Sequence, residues 1–134
     1  MMNVLKPTRV TRTYTQSLVA PPDEVFPLLC PVREIDWAVG WQPSSVFSFS
    51  GMAEPDCVFV TPGDPADAIW YVTRHEPENW LVEMVKITPG ITACRITIRL
   101  RPGGSGCNAV VTYSYTSLGP KGNEFVESFT EDYY

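Results

Sequence analysis

The sequence predicts an α+β fold, in which a strongly curved antiparallel sheet carries a helix across its concave face. Three observations predict it. The stretches 9–20 and 44–119 consist of short runs rich in β-branched and aromatic residues, separated by turn residues. Two short, proline-punctuated helical segments follow the first run, and a helical pattern returns at the end. A first strand so separated must rejoin the sheet, and a last amphipathic helix needs an apolar surface to cover.

The composition indicates one globular domain, which we assign to residues 1–134. The chain has 134 residues, 44% of them hydrophobic and 19% charged, and a chain of this length normally forms a single core. Its net charge is −5 and its basic residues form no cluster. Nucleic-acid binding is therefore not expected, because it requires a basic face.

The first strand and the two helical segments come next in order. The run "RVTRTYTQSLVA" suits an edge strand, and Pro21 and Pro22 end it. A helix then begins in "PPDEVFPLLC", where prolines and acidic residues occupy the first turn, and Pro31 ends it within about two turns. The segment "REIDWAVG" predicts a second short helix, which Gly40 closes. Both helices are too short to be stable alone, so tertiary packing must hold them.

Six further strands and a helix complete the prediction. The strands correspond to "SVFSFSG", "DCVFVTPGD", "AIWYVTRHEP", "NWLVEMVKITPG", "ITACRITIRLRPGG" and "GCNAVVTYSYTSLG". The glycines of "GGSGCN" precede a strand rather than a helix, which favours a hairpin turn over a phosphate-binding loop. After "GPKGN", the residues Phe125, Phe129 and Tyr133 recur at helical spacing. The sequence stops at Tyr134 inside this pattern, without a capping signal.

Membrane, secretory and metal functions have no signal in the sequence. The apolar runs are only a few residues long, whereas a membrane span needs about 20, and the N-terminus lacks the apolar core of a signal peptide. The four cysteines are widely spaced and there is one histidine, so no metal site and no cofactor are expected. We interpret the cysteines as reduced, semi-buried residues of a cytoplasmic protein.

The order and layout of these elements resemble the SRPBCC, or START-like, helix-grip superfamily, and most closely its polyketide cyclase/dehydrase and lipid-transport-like members. The resemblance covers about residues 9–134. It rests on "APPDEVFPLLCPVREIDWAVGW", "WYVTRHEPENWLVEMVKITPG", the paired strands around "PGGSG" and the closing "GNEFVESF". It implies a seven-stranded antiparallel sheet wrapped around a C-terminal helix. It also implies an internal cavity for apolar or amphipathic small molecules, and a last helix usually longer than residues 121–134 allow.

Strand alternation suggests which residues line that cavity, because residues two apart lie on the same face of a strand. We expect the concave wall and the last helix to supply seven ligand-binding residues: Ile96, Ile98, Val111, Tyr113, Tyr115, Phe125 and Phe129. A packed core rarely needs two adjacent phenols, and a polar-tipped aromatic wall suits an amphipathic ligand. Core packing alone explains these seven residues about as well as ligand binding does, and the two tyrosine hydroxyls favour the cavity. We expect Tyr115→Phe to alter ligand affinity while leaving stability nearly intact.

The titratable residues give weaker signals. His75 either faces the cavity or lies at a strand end. Glu83 and Lys86 fall on opposite faces of the same strand, and the sequence does not show which of them points inward. Glu34 and Asp36, two apart on the second short helix, do not share a face and make a poor catalytic pair.

Three functions are compatible with these observations. The first is binding of a hydrophobic or amphipathic, lipid- or polyketide-like small molecule. The second is a cyclase, aromatase or dehydratase, whose acid/base candidates would be His75, Glu83 and the pair Tyr113 and Tyr115. The third is a protein-interaction module that uses the same groove. The sequence is compatible with a homodimer but fixes neither the oligomeric state nor the ligand.

Overall fold

The computed structural model describes residues 2–30, 32–33, 40 and 42–129. It confirms the predicted α+β class, with seven antiparallel strands and helices before and after the main run of strands. The strands are β1 (Arg9–Leu18), β2 (Ser45–Phe47), β3 (Val58–Thr61), β4 (Ala68–Glu76), β5 (Leu81–Thr88), β6 (Thr92–Gly103) and β7 (Gly106–Ser117). The helices are α1 (Pro22–Val25), which continues as a 3₁₀ helix (Phe26–Leu29), a 3₁₀ turn (Pro77–Asn79) and α2 (Pro120–Ser128).

The strands form one sheet in the order β1-β7-β6-β5-β4-β3-β2. Strand β1 pairs with β7 over its full length, from Arg9 opposite Thr116 to Leu18 opposite Cys107. The predicted edge position of β1 is thus confirmed, and the first strand rejoins the sheet beside the last one. Strand β2 forms the other edge.

The hairpin predicted at "GGSGCN" joins the two longest strands, β6 and β7. Gly103 pairs with Gly106, which leaves Gly104 and Ser105 as a two-residue turn. Gly104 has φ +55°, a conformation that glycine adopts at little cost. The glycines therefore serve chain reversal.

The first helical segment after β1 is short, as its prolines predicted. The α1 turn starts at Pro22 and passes at Phe26 into the 3₁₀ helix, which ends at Leu29. Asp23 on α1 accepts a 2.8 Å hydrogen bond from the indole Nε1 of Trp80, just before β5. This bond ties the first helix to the sheet. The predicted second helix, including Glu34 and Asp36, lies almost entirely outside the described residues.

The hydrophobic core lies between one face of the sheet, the first helical segment and α2. Phe59, Leu100 and Val72 are almost inaccessible to solvent, and Phe129 and Val126 bring the C-terminal helix onto the same core. The opposite, convex face is polar near β1. There Thr11 lies 3.1 Å from Ser114 and Thr13 lies 3.2 Å from Thr112, measured between hydroxyl oxygens.

The C-terminal helix is shorter than the predicted pattern. It ends at Ser128, and Phe129 has extended backbone angles of φ −72° and ψ 105°. The Ser128 hydroxyl donates a 3.0 Å hydrogen bond to the carbonyl of Phe125, and such a bond competes with the continuing backbone pattern. Phe129 is nevertheless buried against the sheet, as expected. Tyr133, the third member of the predicted stripe, lies outside the described residues.

Candidate functional site

The seven residues predicted from strand alternation come together on the concave face. Ile96 pairs with Tyr113, and Ile98 with Val111, across β6 and β7. The two helix-proximal phenylalanines cover this region. The ring centroid of Phe125 lies 4.7 Å from that of Tyr115, and the centroid of Phe129 lies 5.1 Å from the same ring.

The accessibility of these residues divides them into two groups. Ile96, Tyr115 and Phe129 are 6%, 5% and 1% exposed, so they belong to the packed core. A second group faces the same side of the sheet yet stays partly accessible: Ile98, Val111, Tyr113 and Phe125. These four are apolar or aromatic side chains that protein atoms only partly cover. They are the part of the set that a ligand could contact.

The two tyrosines differ in their surroundings. The Tyr115 hydroxyl donates a hydrogen bond to the Sγ of Cys94, and burial of that thiol nonetheless raises its pKa to about 11. The phenol of Tyr115 therefore has a partner inside the protein and does not itself require a cavity. Tyr113 stacks on Tyr115 with 6.3 Å between ring centroids and remains more accessible.

The strand register shows which way the charged residues of β5 point. Lys86 lies opposite Trp70 on β4 and Cys94 on β6, two residues of the hydrophobic core, so its side chain belongs to the concave face. Its Nζ lies 4.8 Å from the centroid of the Trp70 ring, and burial lowers the pKa of its amine.

Glu83 lies on the opposite, convex face. Its carboxylate accepts hydrogen bonds from the hydroxyls of Thr73, at 3.0 Å, and Thr97, at 3.3 Å. The three acid/base candidates therefore do not converge, because Glu83 is separated by the sheet from the concave face that His75 and Tyr113 share.

His75 is not an exposed residue at a strand end, and it does not contact the aromatic side chains of β7 and α2. It pairs with Val82 in the register that points inward, and its ring centroid lies 5.4 Å from that of Phe26. Burial lowers its pKa, and the charge of Glu78 opposes this in part. The imidazole lines a separate open groove of about 240 Å³ with Phe26, Pro27, Cys30, Arg33, Met52, Ala53 and Pro77.

A larger open groove, of about 650 Å³, runs beside β2. Phe47 and the fully exposed Phe49 are among the residues that line it. The loop that follows β2 is held by Glu54, whose carboxylate accepts a 2.8 Å bond from the Ser50 N–H. Bonds from Ser50 and its neighbours lower the pKa of Glu54 to about 2. This groove was not predicted, since alternation along a strand does not show where a loop leaves an edge open.

The thiols and the other possible metal ligands form no metal site in the described part of the chain. All four cysteines fall within it, and all are buried as free thiols. Within the same residues, no three side chains of the His, Cys, Asp or Glu type come together in a way that could hold a metal ion. Among the helices described, none is long and apolar enough to cross a membrane.

Comparison with known proteins supports the fold alone. No protein-family model matches the sequence, and no curated protein is significantly similar to it. Among solved structures, truncated norcoclaurine synthase from Thalictrum flavum matches with a TM-score of 0.73 and 17% identity, over 98% of this chain and 89% of that one. The same enzyme in complex with dopamine and hydroxybenzaldehyde gives a TM-score of 0.70 and 15% identity, over 98% and 88%.

A third likeness is to Ara h 8.0201, with a TM-score of 0.64 and 13% identity, over 83% of this chain and 79% of that one. Together with the sheet order and the C-terminal helix, these matches show that the chain has the helix-grip fold. The fold that the sequence resemblance implied is confirmed.

Proposed function

We propose that the protein binds a hydrophobic or amphipathic small molecule on the concave face of its sheet, between β6, β7 and α2. One observation carries the proposal: Ile98, Val111, Tyr113 and Phe125 face the interior side of the sheet and yet remain partly accessible. Apolar surface left in water on the inner face contributes nothing to folding, whereas a ligand that covers it gains about 25 cal/mol per Å².

The structural comparisons support this proposal indirectly. The norcoclaurine synthase structure holds dopamine and hydroxybenzaldehyde, two small aromatic molecules, and this chain shares its fold at a TM-score of 0.70. At 15% identity the likeness transfers neither substrate nor activity. It makes small amphipathic aromatics a sensible first set of probes.

The enzyme alternative has less support. A cyclase, aromatase or dehydratase needs at least two titratable groups near the reacting atoms. Glu83 lies on the convex face, hydrogen-bonded to Thr73 and Thr97, and His75 lines a different groove. The protein-interaction alternative would use an exposed apolar surface, for which the β2 rim with Phe47 and Phe49 is the candidate.

The cellular setting and the oligomeric state remain predictions. Four buried free thiols are typical of a reducing compartment, so we expect the protein to act in the cytoplasm. A homodimer, with which the sequence is compatible, would need an interface, and the exposed side chains of Phe47, Ile69 and Tyr71 on the β2–β4 side offer apolar surface for one.

Two neighbouring valines on β7 allow a matched test. Val111 faces the concave side with Tyr113, whereas Val110 faces the convex side opposite Arg99 and Thr15. We expect Val111→Trp to fill the site and to weaken binding of the neutral dye Nile red about tenfold or more, whereas Val110→Trp leaves it within about twofold. Thermal melts verify that both variants are folded. If the wild type does not bind the dye, or if Val111→Trp binds it as well as the wild type, the proposal is wrong.

A further inference from the structure

One row of side chains crosses the concave face and differs from the apolar rows beside it. Trp70, Lys86, Cys94 and Tyr115 lie directly opposite one another on β4, β5, β6 and β7. The neighbouring row consists of Val72, Met84, Ile96 and Tyr113 on the same four strands, and it ends on β1 at the exposed Arg12, opposite Tyr113. Within these two rows Lys86 is thus the one cation on the inner strands β4 to β7, where removing a charge from water is costly.

No acidic side chain of the described residues neutralises Lys86. The one ion pair found there joins Arg74 and Glu76. The charge on Lys86 meets the face of the Trp70 ring, with 4.8 Å from Nζ to the centroid, and such a contact offsets only part of the desolvation cost. The neighbouring Cys94 thiol is neutral near pH 7, because burial raises its pKa to about 11.

The position of this amine relative to the accessible wall suggests what could pair with it. Lys86 lies opposite Cys94, and Ile98 is four residues further along the same strand, which corresponds to about 13 Å at the rise of a β-strand. Tyr113 lies between these two ends, beside Ile96. A small molecule with an acidic group at one end and an apolar body about 10 Å long matches this spacing.

We propose that Lys86 binds the carboxylate of an amphipathic ligand whose apolar body lies against Ile98, Val111 and Tyr113. This inference rests on the proposed function and specifies the ligand class as an organic monoanion. One ammonium group surrounded by apolar and aromatic side chains balances a single negative charge. A phosphate dianion would remain poorly compensated there, because it requires several donors.

The inference is tested with a matched pair of ligands, 2-naphthylacetate and the neutral 2-naphthylacetamide. Isothermal titration calorimetry measures both dissociation constants at pH 7. We expect the wild type to bind the acid about tenfold more tightly than the amide. In Lys86→Met, which keeps the length of the side chain without its charge, this preference should disappear. Lys86→Arg should retain a preference for the acid.

Lys121→Met is the control for net charge, because Lys121 is exposed on α2. It should keep the wild-type preference. If Lys86→Met discriminates between the two ligands as well as the wild type does, or if the wild type binds them equally, the carboxylate inference is wrong while the proposed function stands. If the wild type binds neither ligand nor Nile red, both are wrong. Circular dichroism verifies that each variant is folded. If Lys86→Met does not fold, the same two dissociation constants are measured for Lys86→Gln.

Discussion

His75 is the only histidine in the chain, and the sequence left open whether it pointed inward. Its inward register depends on an irregularity in β4, where the pairing with β5 shifts between Val72 and Arg74. Strict alternation would place residue 75 on the face opposite Val72. The shift returns it to the concave side, beside Phe26. A bulge of this kind has no clear sequence signature, so this orientation could not be predicted.

The environment of His75 predicts a low pKa in the folded state. Burial disfavours the charged imidazole, and Glu78 opposes this only in part. Because the pKa is lowered on folding, the residue stabilises the protein above the unfolded-state value of about 6.5, and this contribution is lost as the pH falls through the folded-state pKa. An NMR titration of the single imidazole measures it directly, with the urea-unfolded protein as reference. A folded-state midpoint equal to or above the unfolded one would contradict the assigned burial.

Tyr115 shows how an internal partner changes an expectation drawn from the sequence. Two adjacent phenols suggested the wall of a ligand cavity, and Tyr115→Phe was expected to leave stability nearly intact. In the structure its hydroxyl donates to the Sγ of Cys94, and the residue is 5% exposed. We now expect Tyr115→Phe to cost about 0.5–1 kcal/mol in the free energy of unfolding. Urea denaturation measures the loss, and a free energy equal to that of the wild type would show that the hydrogen bond contributes nothing.

At the scale of elements, the backbone of α2 at Gly122 lies very close to the backbone of the β5–β6 turn at Ile91. A Cβ built there would collide with the backbone oxygen of Ile91 and would lie 2.7 Å from the Ser117 hydroxyl. Helix propensity alone predicts that Gly122→Ala stabilises the helix by about 0.5–1 kcal/mol. The packing predicts the opposite sign, because the helix would have to move away from the sheet. Thermal melts decide between the two, with Asn123→Ala at an exposed position of the same helix as control.

The end of α2 places Phe129 at the centre of an aromatic cluster. The residue is 1% exposed, and its ring lies within 6.5 Å of those of Tyr14, Tyr113, Tyr115 and Phe125, measured between centroids. We expect Phe129→Ala to cost about 3–5 kcal/mol in the free energy of unfolding. Phe49→Ala removes a fully exposed ring and should cost less than about 0.5 kcal/mol. An unchanged denaturant midpoint in Phe129→Ala would show that α2 is not docked on the sheet.

Most strands could be predicted from the sequence, because alternation and turn residues are local signals. The hairpin at Gly104 and the short, proline-bounded first helix followed from local chemistry in the same way. Strand β2 is shorter than the run "SVFSFSG", since only Ser45–Phe47 pairs with β3. Beyond Phe47, the serine hydroxyls and the Glu54 carboxylate form a loop network of their own, and such competing bonds are not visible in an alternation pattern.

At the scale of the whole molecule, curvature of the sheet separates two kinds of surface. The hydrophobic core and the partly accessible residues Ile98, Val111 and Tyr113 lie on the concave side. Pairs of hydroxyl side chains lie on the convex side near β1. The sequence predicted which residues of β6 and β7 share the inner face. It did not predict that Lys86 joins them in a row with Trp70 and Cys94, because the relative registers of four strands are a tertiary property.

Mapping a neutral ligand onto the methyl groups tests the central claim most directly. We expect 2-naphthylacetamide to shift the NMR signals of Ile98 and Val111 most and to show intermolecular nuclear Overhauser contacts with Phe125. The convex residues Val58, Ile69 and Val85 should be unaffected. Shifts confined to those convex residues, or to the groove beside Phe47, or no shifts at a ligand concentration of about 1 mM, would contradict binding on the concave face.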